Sequence, residues 1–549
     1  LSRSGEISMD SNLIEKLMQE NEKKGYIDDS SVERISRALQ IPPSRVFAIA
    51  SEFPSLLISR RKPLLLEICH GPACALSGAS SLLEALRSSK NNYETRPLIG
   101  SPYWHNPIMA ELRGARERVS VQGLSHKDVS VEEIRLKGSS KSFAIPYSVK
   151  KRARIVNPLG RRYATSVHSG AVDFKKFLST DGSGKVLKAL KGSRIQNRAT
   201  GRALARDIQE IPPVGDRTVI CDVGGGELEN STGCVIAALA PAELICGIFL
   251  VSMALDAKEV IIVVPFEDKE LEQYLSSVLL DFEKYIPSSI EAKVLSLPSH
   301  IPCEREIGLA SVINGMTLSE AAAKAGRDGM NTLWRNPTLL CDPEAFIKVS
   351  RILSEGEDQY RAILGGTAVF SVGGKIKKPC IVEVPLSCTF DEILKMVGGP
   401  LMDSKLKAVQ IVGLPSILLP ASEFKRSLKN LLSRHPNWYG QILFIDHGTC
   451  MVRWSSYLAW LASLSCCGAC TPGRLGPSYI TNILEGISKG EGSLEDLEEL
   501  TSTIELIEET SLCPQGRLAR VISNTISRFG KEFKEHIEEG KCEAGVCHF

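Results

Sequence analysis

The residues best suited to chemistry are thiols, and the densest group is "SCCGACTPGR" at 465–474. Cys467 and Cys470 form a C-x-x-C step, and Cys513 follows in "LCPQG". Thiolates at such spacing hold iron–sulfur clusters. A 4Fe-4S cluster takes four ligands, and the remaining position in this frame is Gly473, which has no side chain. Cys466 adjoins Cys467, but on a continuous helix neighbouring side chains point apart. Two readings stay open. Either a 4Fe-4S cluster sits on Cys467, Cys470 and Cys513 with an outside ligand or water at one iron, or the thiols hold no metal.

A second group is the tail "HIEEGKCEAGVCHF". His536, Cys542 and Cys547 stand at H-x5-C-x4-C spacing, compatible with tetrahedral zinc closed by one distant thiol. Cys450 in "GTCMV" is the expected fourth ligand, because it opens the same helical region. A third group is Cys69 and Cys74 in "ICHGPACALSGA". A C-x4-C loop can place two thiolates on one iron of a 2Fe-2S cluster, but the next cysteine is Cys221. No 2Fe-2S cluster is therefore expected. Cys234, Cys246, Cys341, Cys380 and Cys388 lie in apolar runs and read as small core residues.

These thiols need elements to position them. Residues 10–60 carry helical spacing, as in "SNLIEKLMQENEKKGYI". Residues 61–150 begin strand, cysteine loop, helix. Residues 151–360 alternate strands such as "VICDV" and "EVIIVVPF" with helices such as "PAELICGIFLVSMAL", which predicts α/β structure with a largely parallel sheet. Residues 361–440 predict a small β-grasp module, and 441–549 a helical bundle. The fold class is thus multidomain α/β.

Net charge is +2 across 549 residues, so neither nucleic acid nor a membrane surface is an expected partner. The longest apolar run contains Pro241 and Glu243 and breaks at Asp256, so no membrane span is expected. No signal-peptide pattern is visible. Sixteen cysteines without one favour metal or redox use in the cytoplasm over a disulfide framework.

Taken in order, these stretches resemble one family. "EICHGPACALSGASSLLEALR" is similar to the thioredoxin-like ferredoxin subunit of respiratory complex I. From about residue 153, "VICDVGGGE", "PCEREIGLASVINGM", "GTAVFSVGGKIKKPCIVEVP" and "CCGACTPGR" resemble the flavin-carrying NADH-oxidising subunit. The nearest version is the beta subunit of electron-bifurcating hydrogenases and NAD-linked formate dehydrogenases. The resemblance implies four units: thioredoxin-like, flavoprotein-type α/β, β-grasp (SLBB-like), and helical with a cluster. It also implies FMN taking hydride from NADH, iron–sulfur clusters carrying electrons away, and partner subunits of a hydrogenase- or formate-dehydrogenase-type complex.

Against the family pattern, key groups are missing. The glycine-rich flavin loop G-R-G-G-A-G-F-P-T-G is here "GSRIQNRATG" (192–201). C-N-A-D-E-x-E-P-G is here "CDVGGGELE" (221–229), with Gly224 and Gly225 for the central acids. C-G-E-E-T-A-L is here "CEREIGL" (303–309), with Glu304 for glycine and Arg305 for the first acid. The second ferredoxin cysteine pair falls on Thr95 and Ile99. The expectation is a chain that has lost its own FMN and NADH chemistry and serves a structural or docking role, with zinc and one residual cluster. The alternative is an active flavoprotein in which Glu227 and Glu306 bind FMN or NADH.

Overall fold

The computed structural model describes residues 7–56, 64–88, 94–98, 108–114, 118–121, 155–156, 182–193, 195–225, 232–355, 367–413, 416–432, 438–513 and 519–549, with single positions between them. Three helices come first: α1 (Ile7–Lys24), α2 (Asp29–Leu39) and α3 (Pro43–Glu52). Asp28 caps α2 by accepting from Ser31 N at 2.7 Å.

The next unit contains β1 (Leu64–Cys69), α4 (Pro72–Leu76), α5 (Ala79–Ser88), β2 (Glu94–Leu98), β3 (Ala110–Gly114) and β4 (Arg118–Val121). The sheet order is β2-β1-β3-β4. β1 and β2 run parallel across α5, and β3 and β4 run antiparallel. This is thioredoxin-like topology.

A short strand β5 (Ile155–Val156) precedes α6 (Gly182–Ser193), the hairpin β6 (Gln196–Asn197) and β7 (Arg202–Ala203), and α7 (Leu204–Glu210). Then come β8 (Arg217–Asp222), α8 (Thr232–Leu239), α9 (Pro241–Ala254), β9 (Ala257–Pro265), α10 (Lys269–Phe282) and β10 (Glu291–Leu297). The unit closes with α11 (Arg305–Asn314), α12 (Leu318–Asp328), β11 (Thr338–Cys341) and α13 (Pro343–Glu355). Its four strands are parallel in the order β10-β9-β8-β11. The order reverses beside β8, so a crevice opens where β8 and β11 end, the usual ligand position in such sheets.

Alternation along the strands divides the core. Val219 and Cys221 face α9 and α13, while Ile220, Ile261 and Val263 face the other way. That second face is covered by α1–α3 together with α11 and α12. The N-terminal helices thus complete the α/β unit. No single helix among the described residues is long and apolar enough to cross a membrane, and the apolar α8–α9 pair is bent by 99°.

The third sheet has six strands, in the order β15-β14-β16-β12-β13-β5. Its strands are β12 (Thr367–Gly374), β13 (Cys380–Pro385), β14 (Leu406–Gly413), β15 (Ile417–Pro420) and β16 (Trp438–Asp446), with β5 on the edge. α14 (Phe390–Met396) and α15 (Leu428–Leu432) pack on it. β16 runs through residue 440, so this sheet continues into the segment expected to be helical. The C-terminal bundle comprises α16 (Met451–Leu464), α17 (Thr471–Ser488), α18 (Leu494–Thr510) and α19 (Arg520–Glu538).

Candidate functional site

Five thiols meet where the bundle joins the α/β unit. Cys466, Cys467, Cys470 and Cys513 line a mostly apolar cleft of about 430 Å³, part of it open to solvent, and Cys303 joins them from the loop before α11. Ile507, Pro477 and Gly473 complete the wall. Cys470 is the N-cap of α17, so that helix directs its positive end at the thiols. Hydrogen bonds from Cys303 and then Cys466 pull the Cys467 thiol down to about 3. Hydrogen bonds to Cys467 and Cys513, followed by burial, push Cys303 well up. The three expected ligands Cys467, Cys470 and Cys513 are thus brought together.

Two members of this group differ from the sequence reading. Cys303 opens the "CEREIGL" stretch, but nothing in linear spacing ties it to residue 467. Cys466 is expected from sequence to point away. The helical premise fails there: α16 stops at Leu464, α17 starts at Thr471, and Gly468 between them takes φ +75°. That turn brings Cys466 into the same cleft.

The tail donors also converge. One ligand atom each from Cys450, His536, Cys542 and Cys547 lies within 4.8 Å of the others. Cys450 Sγ stands 3.3 Å from His536 Nε2 and 3.7 Å from Cys547 Sγ. Tetrahedral zinc, with bonds of ~2.0–2.3 Å, sets its donors ~3.3–3.8 Å apart, which these two distances match. His536 Nδ1 bonds the Glu532 carbonyl at 2.6 Å, which fixes the ring and leaves Nε2 for a metal. Glu532 is itself held by Lys407 Nζ at 2.9 Å and by Met451 N at 3.2 Å. Hydrogen bonds from Cys547 and His536 pull Cys450 down to about 4. Burial works to lower His536, but Cys450 outweighs it and holds the imidazole up at about 9.

In the thioredoxin-like unit Cys69 ends β1 and Cys74 lies in α4, both fully buried. The register sets Leu98 beside Cys69 and Thr95 beside Leu66. Thr95 is therefore about 10 Å back along the strand from the cysteine loop, and is not the neighbour that the sequence comparison implies. Ile99 lies outside the described residues. His70, between the two cysteines, bonds Ile68 O through Nδ1 at 2.9 Å, and its own carbonyl accepts from Tyr457 Oη at 2.7 Å. Trp460 meets the imidazole edge-on at 5.8 Å. The loop is thereby fastened to α16.

The crevice where β8 and β11 end spans about 550 Å³, part of it open to solvent, and is lined by Arg198, Asp222, Glu304, Arg305, Asp342 and Glu344, among others. Arg305 forms a two-bond ion pair with Asp222, Nε to Oδ2 at 2.8 Å and Nη2 to Oδ1 at 2.7 Å. A Cβ on Gly225 would lie 2.6 Å from Asp222 Oδ2, and one on Gly224 3.4 Å from Arg305 Nη2. The glycines for acids and the arginine for an acid are therefore one joint rearrangement. Arg198 pairs with Glu344, and its backbone N–H donates to Asp342 Oδ2 at 2.7 Å.

The loop at 195–201 is likewise pinned inward. Ile195 enters the core. Buried Asn197 donates to Asp207 Oδ2 at 2.7 Å and Leu340 O at 2.8 Å. Glu306 is not in the crevice lining. It accepts from Trp334 Nε1 at 3.1 Å, and burial raises its carboxyl. Glu227 lies outside the described residues.

Residues 455–536 match the family described as the NADH-ubiquinone oxidoreductase-F iron-sulfur binding region, and residues 3–96 the thioredoxin-like 2Fe-2S ferredoxin family. The chain thus joins a segment similar to thioredoxin-like ferredoxins to one similar to the iron–sulfur region of the NADH-dehydrogenase flavoprotein subunit. Its homologues are subunits of NADH-quinone oxidoreductases and of hydrogenases linked to NAD or NADP.

NADP-reducing hydrogenase subunit HndC of Solidesulfovibrio fructosivorans is 29% identical over 45% of this chain, and the chain spans 52% of it. An NADH-quinone oxidoreductase subunit of Aquifex aeolicus is 27% identical over 59% of this chain and 78% of its own length. NAD-reducing hydrogenase HoxS subunit alpha of Cupriavidus necator is 23% identical over 96% of this chain and 92% of its own length. A crystal structure of NAD+-reducing NiFe hydrogenase in the air-oxidised state superposes with a TM-score of 0.76 at 18% identity, covering 97% of this chain and 95% of that one, which shows the shared fold. The match to a 2Fe-2S ferredoxin family weakens the expectation that no such cluster is held. On the other side stands the lack of any cysteine between Cys74 and Cys221.

Proposed function

We propose that this chain is a subunit of a multi-subunit redox complex that has lost its own flavin and NADH chemistry and serves as a structural and docking element. The observation that carries this reading is the Arg305–Asp222 pair laid across the crevice, with Gly224 and Gly225 making room for it. A flavin phosphate needs free backbone N–H groups and positive potential. Here the Arg198 N–H is already bonded to Asp342, and four carboxylates face two guanidinium groups that are each paired. FMN does not fit this donor set.

Two other sites keep their chemistry in this reading. Cys467, Cys470 and Cys513 hold a 4Fe-4S cluster, which when present carries single electrons. Cys450, His536, Cys542 and Cys547 hold zinc that fastens the tail to the bundle. Partners are the other subunits of a hydrogenase-, formate-dehydrogenase- or NADH-dehydrogenase-type assembly, iron–sulfur proteins among them. The compartment is the reducing cytoplasm, where sixteen thiols outside any disulfide persist.

The test is flavin content. The chain, purified anaerobically in its native complex and then separated, should release no FMN on acid extraction, and NADH should bleach no flavin band belonging to it. One FMN per chain, bleached by NADH, would sink the reading and restore the active flavoprotein.

A further inference from the structure

The cluster frame lacks one thiolate at Gly473, and another sulfur stands in its place. A Cβ built on Gly473 would lie 3.1 Å from Cys466 Sγ and 3.2 Å from Cys470 Sγ. The Cys466 sulfur therefore already fills the space into which a side chain at 473 would project. A side chain at 473 would press on the observed Cys466 rotamer by a few tenths of an ångström, so glycine at 473 suits the position of Cys466.

We propose that Cys466 is the fourth ligand of the 4Fe-4S cluster, so that the ligand set of this chain is Cys466, Cys467, Cys470 and Cys513. The loss at 473 is then a relocation of one ligand from the first turn of α17 to the turn before it. Three further observations agree. The chain break between α16 and α17 lets consecutive residues 466 and 467 face one cleft. The Gly468 N–H donates to Cys466 Sγ at 3.3 Å, and hydrogen bonds of this kind to cluster sulfurs tune their potential. Apart from Ser511 the rest of the cleft lining is apolar, as a cluster cavity needs. Each Fe–S bond forms as the thiol proton passes to solvent, with no change in the oxidation state of iron or sulfur.

Cys303 is the rival ligand, since it also touches Cys467 and Cys513. It is 2% exposed and belongs to the α/β core, and the sulfurs within 4 Å of a Cβ at 473 are those of Cys466 and Cys470, not Cys303. It serves as a thiol hydrogen-bonded to both.

The inference rests on the iron–sulfur part of the proposed function and not on the loss of flavin, which is read separately by FMN extraction. The test uses the full chain, loaded anaerobically with equal amounts of ferrous and ferric iron and with sulfide, then reduced by one electron with dithionite. Wild type should hold about four irons and give the EPR signal of a reduced 4Fe-4S cluster. Cys466→Ser should lose that signal, falling to three irons or fewer, and Cys303→Ser should keep it. Cys466→Ser combined with Gly473→Cys should regain it.

A measurement without substitutions guards against a variant that fails to fold. In the loaded wild type, Cys466 should resist alkylation together with Cys467, Cys470 and Cys513, and lose that protection when iron is chelated. The proposal is overturned by any of four results: a wild type that takes up no 4Fe-4S cluster, full iron and an unchanged signal in Cys466→Ser, loss on Cys303→Ser instead, or alkylation of Cys466 in the loaded chain.

Discussion

At the scale of single residues, Arg305 shows how one charge reversal enforces others. Asp222 is 2% exposed and is paired with the Arg305 guanidinium. Arg305→Ala should destabilise the chain by about 3–5 kcal/mol in urea unfolding, because it strands a buried carboxylate. Adding Asp222→Asn should recover a large part of that loss, and a purely additive double variant would refute the pairing. Glu304 gives a pH signature. Burial, with Glu306 close by, pushes its carboxyl from 4.5 up to about 7. Between those values the folded chain holds a proton that the unfolded chain has released, so stability falls as pH rises through the window. Glu304→Gln should flatten that part of the melting temperature against pH. Of these residues, the sequence makes legible the lost acids and the new arginine as separate changes. Their coupling is not legible, because Asp222 and Arg305 meet only through the packing of α11 over the end of β8.

At the scale of elements, α1–α3 and the tail each complete something begun elsewhere. Each buried Leu, Ile or Phe of α1–α3 is worth ~1.5–3 kcal/mol. Removing residues 1–56 would expose Ile220, Ile261 and Val263 and withdraw more than the ~5–15 kcal/mol that holds a typical domain. The truncated chain should be insoluble, and recovery of a soluble, cooperatively melting product would contradict this packing. The tail wraps back so that Arg453 Nη1 bonds Val546 O at 2.8 Å and Phe549 meets His536 at 5.4 Å. Chelating the zinc proposed for the tail site should raise amide exchange across residues 540–549 and the last turn of α19, while exchange in β8–β10 stays unchanged. Helices, parallel strands and the spacing of the tail ligands are all legible from local pattern. The entry of β5 into the third sheet and the docking of α1–α3 are not, since strand pairing and packing between distant segments leave no local period.

At the scale of the whole molecule, the thiol cleft opens near α17, which shows Leu475 at 57% and Tyr479 at 44% exposure one turn apart on one face. This is where an electron-exchanging iron–sulfur partner would dock in the proposed assembly. Leu475→Asp should weaken co-purification of that partner about tenfold without changing iron per chain. Undiminished co-purification would move the docking face elsewhere. One helix links all of these regions. α16 has Cys450 as its N-cap, carries Tyr457 and Trp460 against His70, and ends two residues before Cys466. At 1.5 Å per residue it sets the tail centre roughly 20–25 Å from the cleft thiols. It acts as a ruler built into the chain itself. With cobalt(II) in place of zinc and the cluster reduced, two paramagnets would be held at that spacing, and their dipolar coupling would gauge the distance between the sites inside the intact complex.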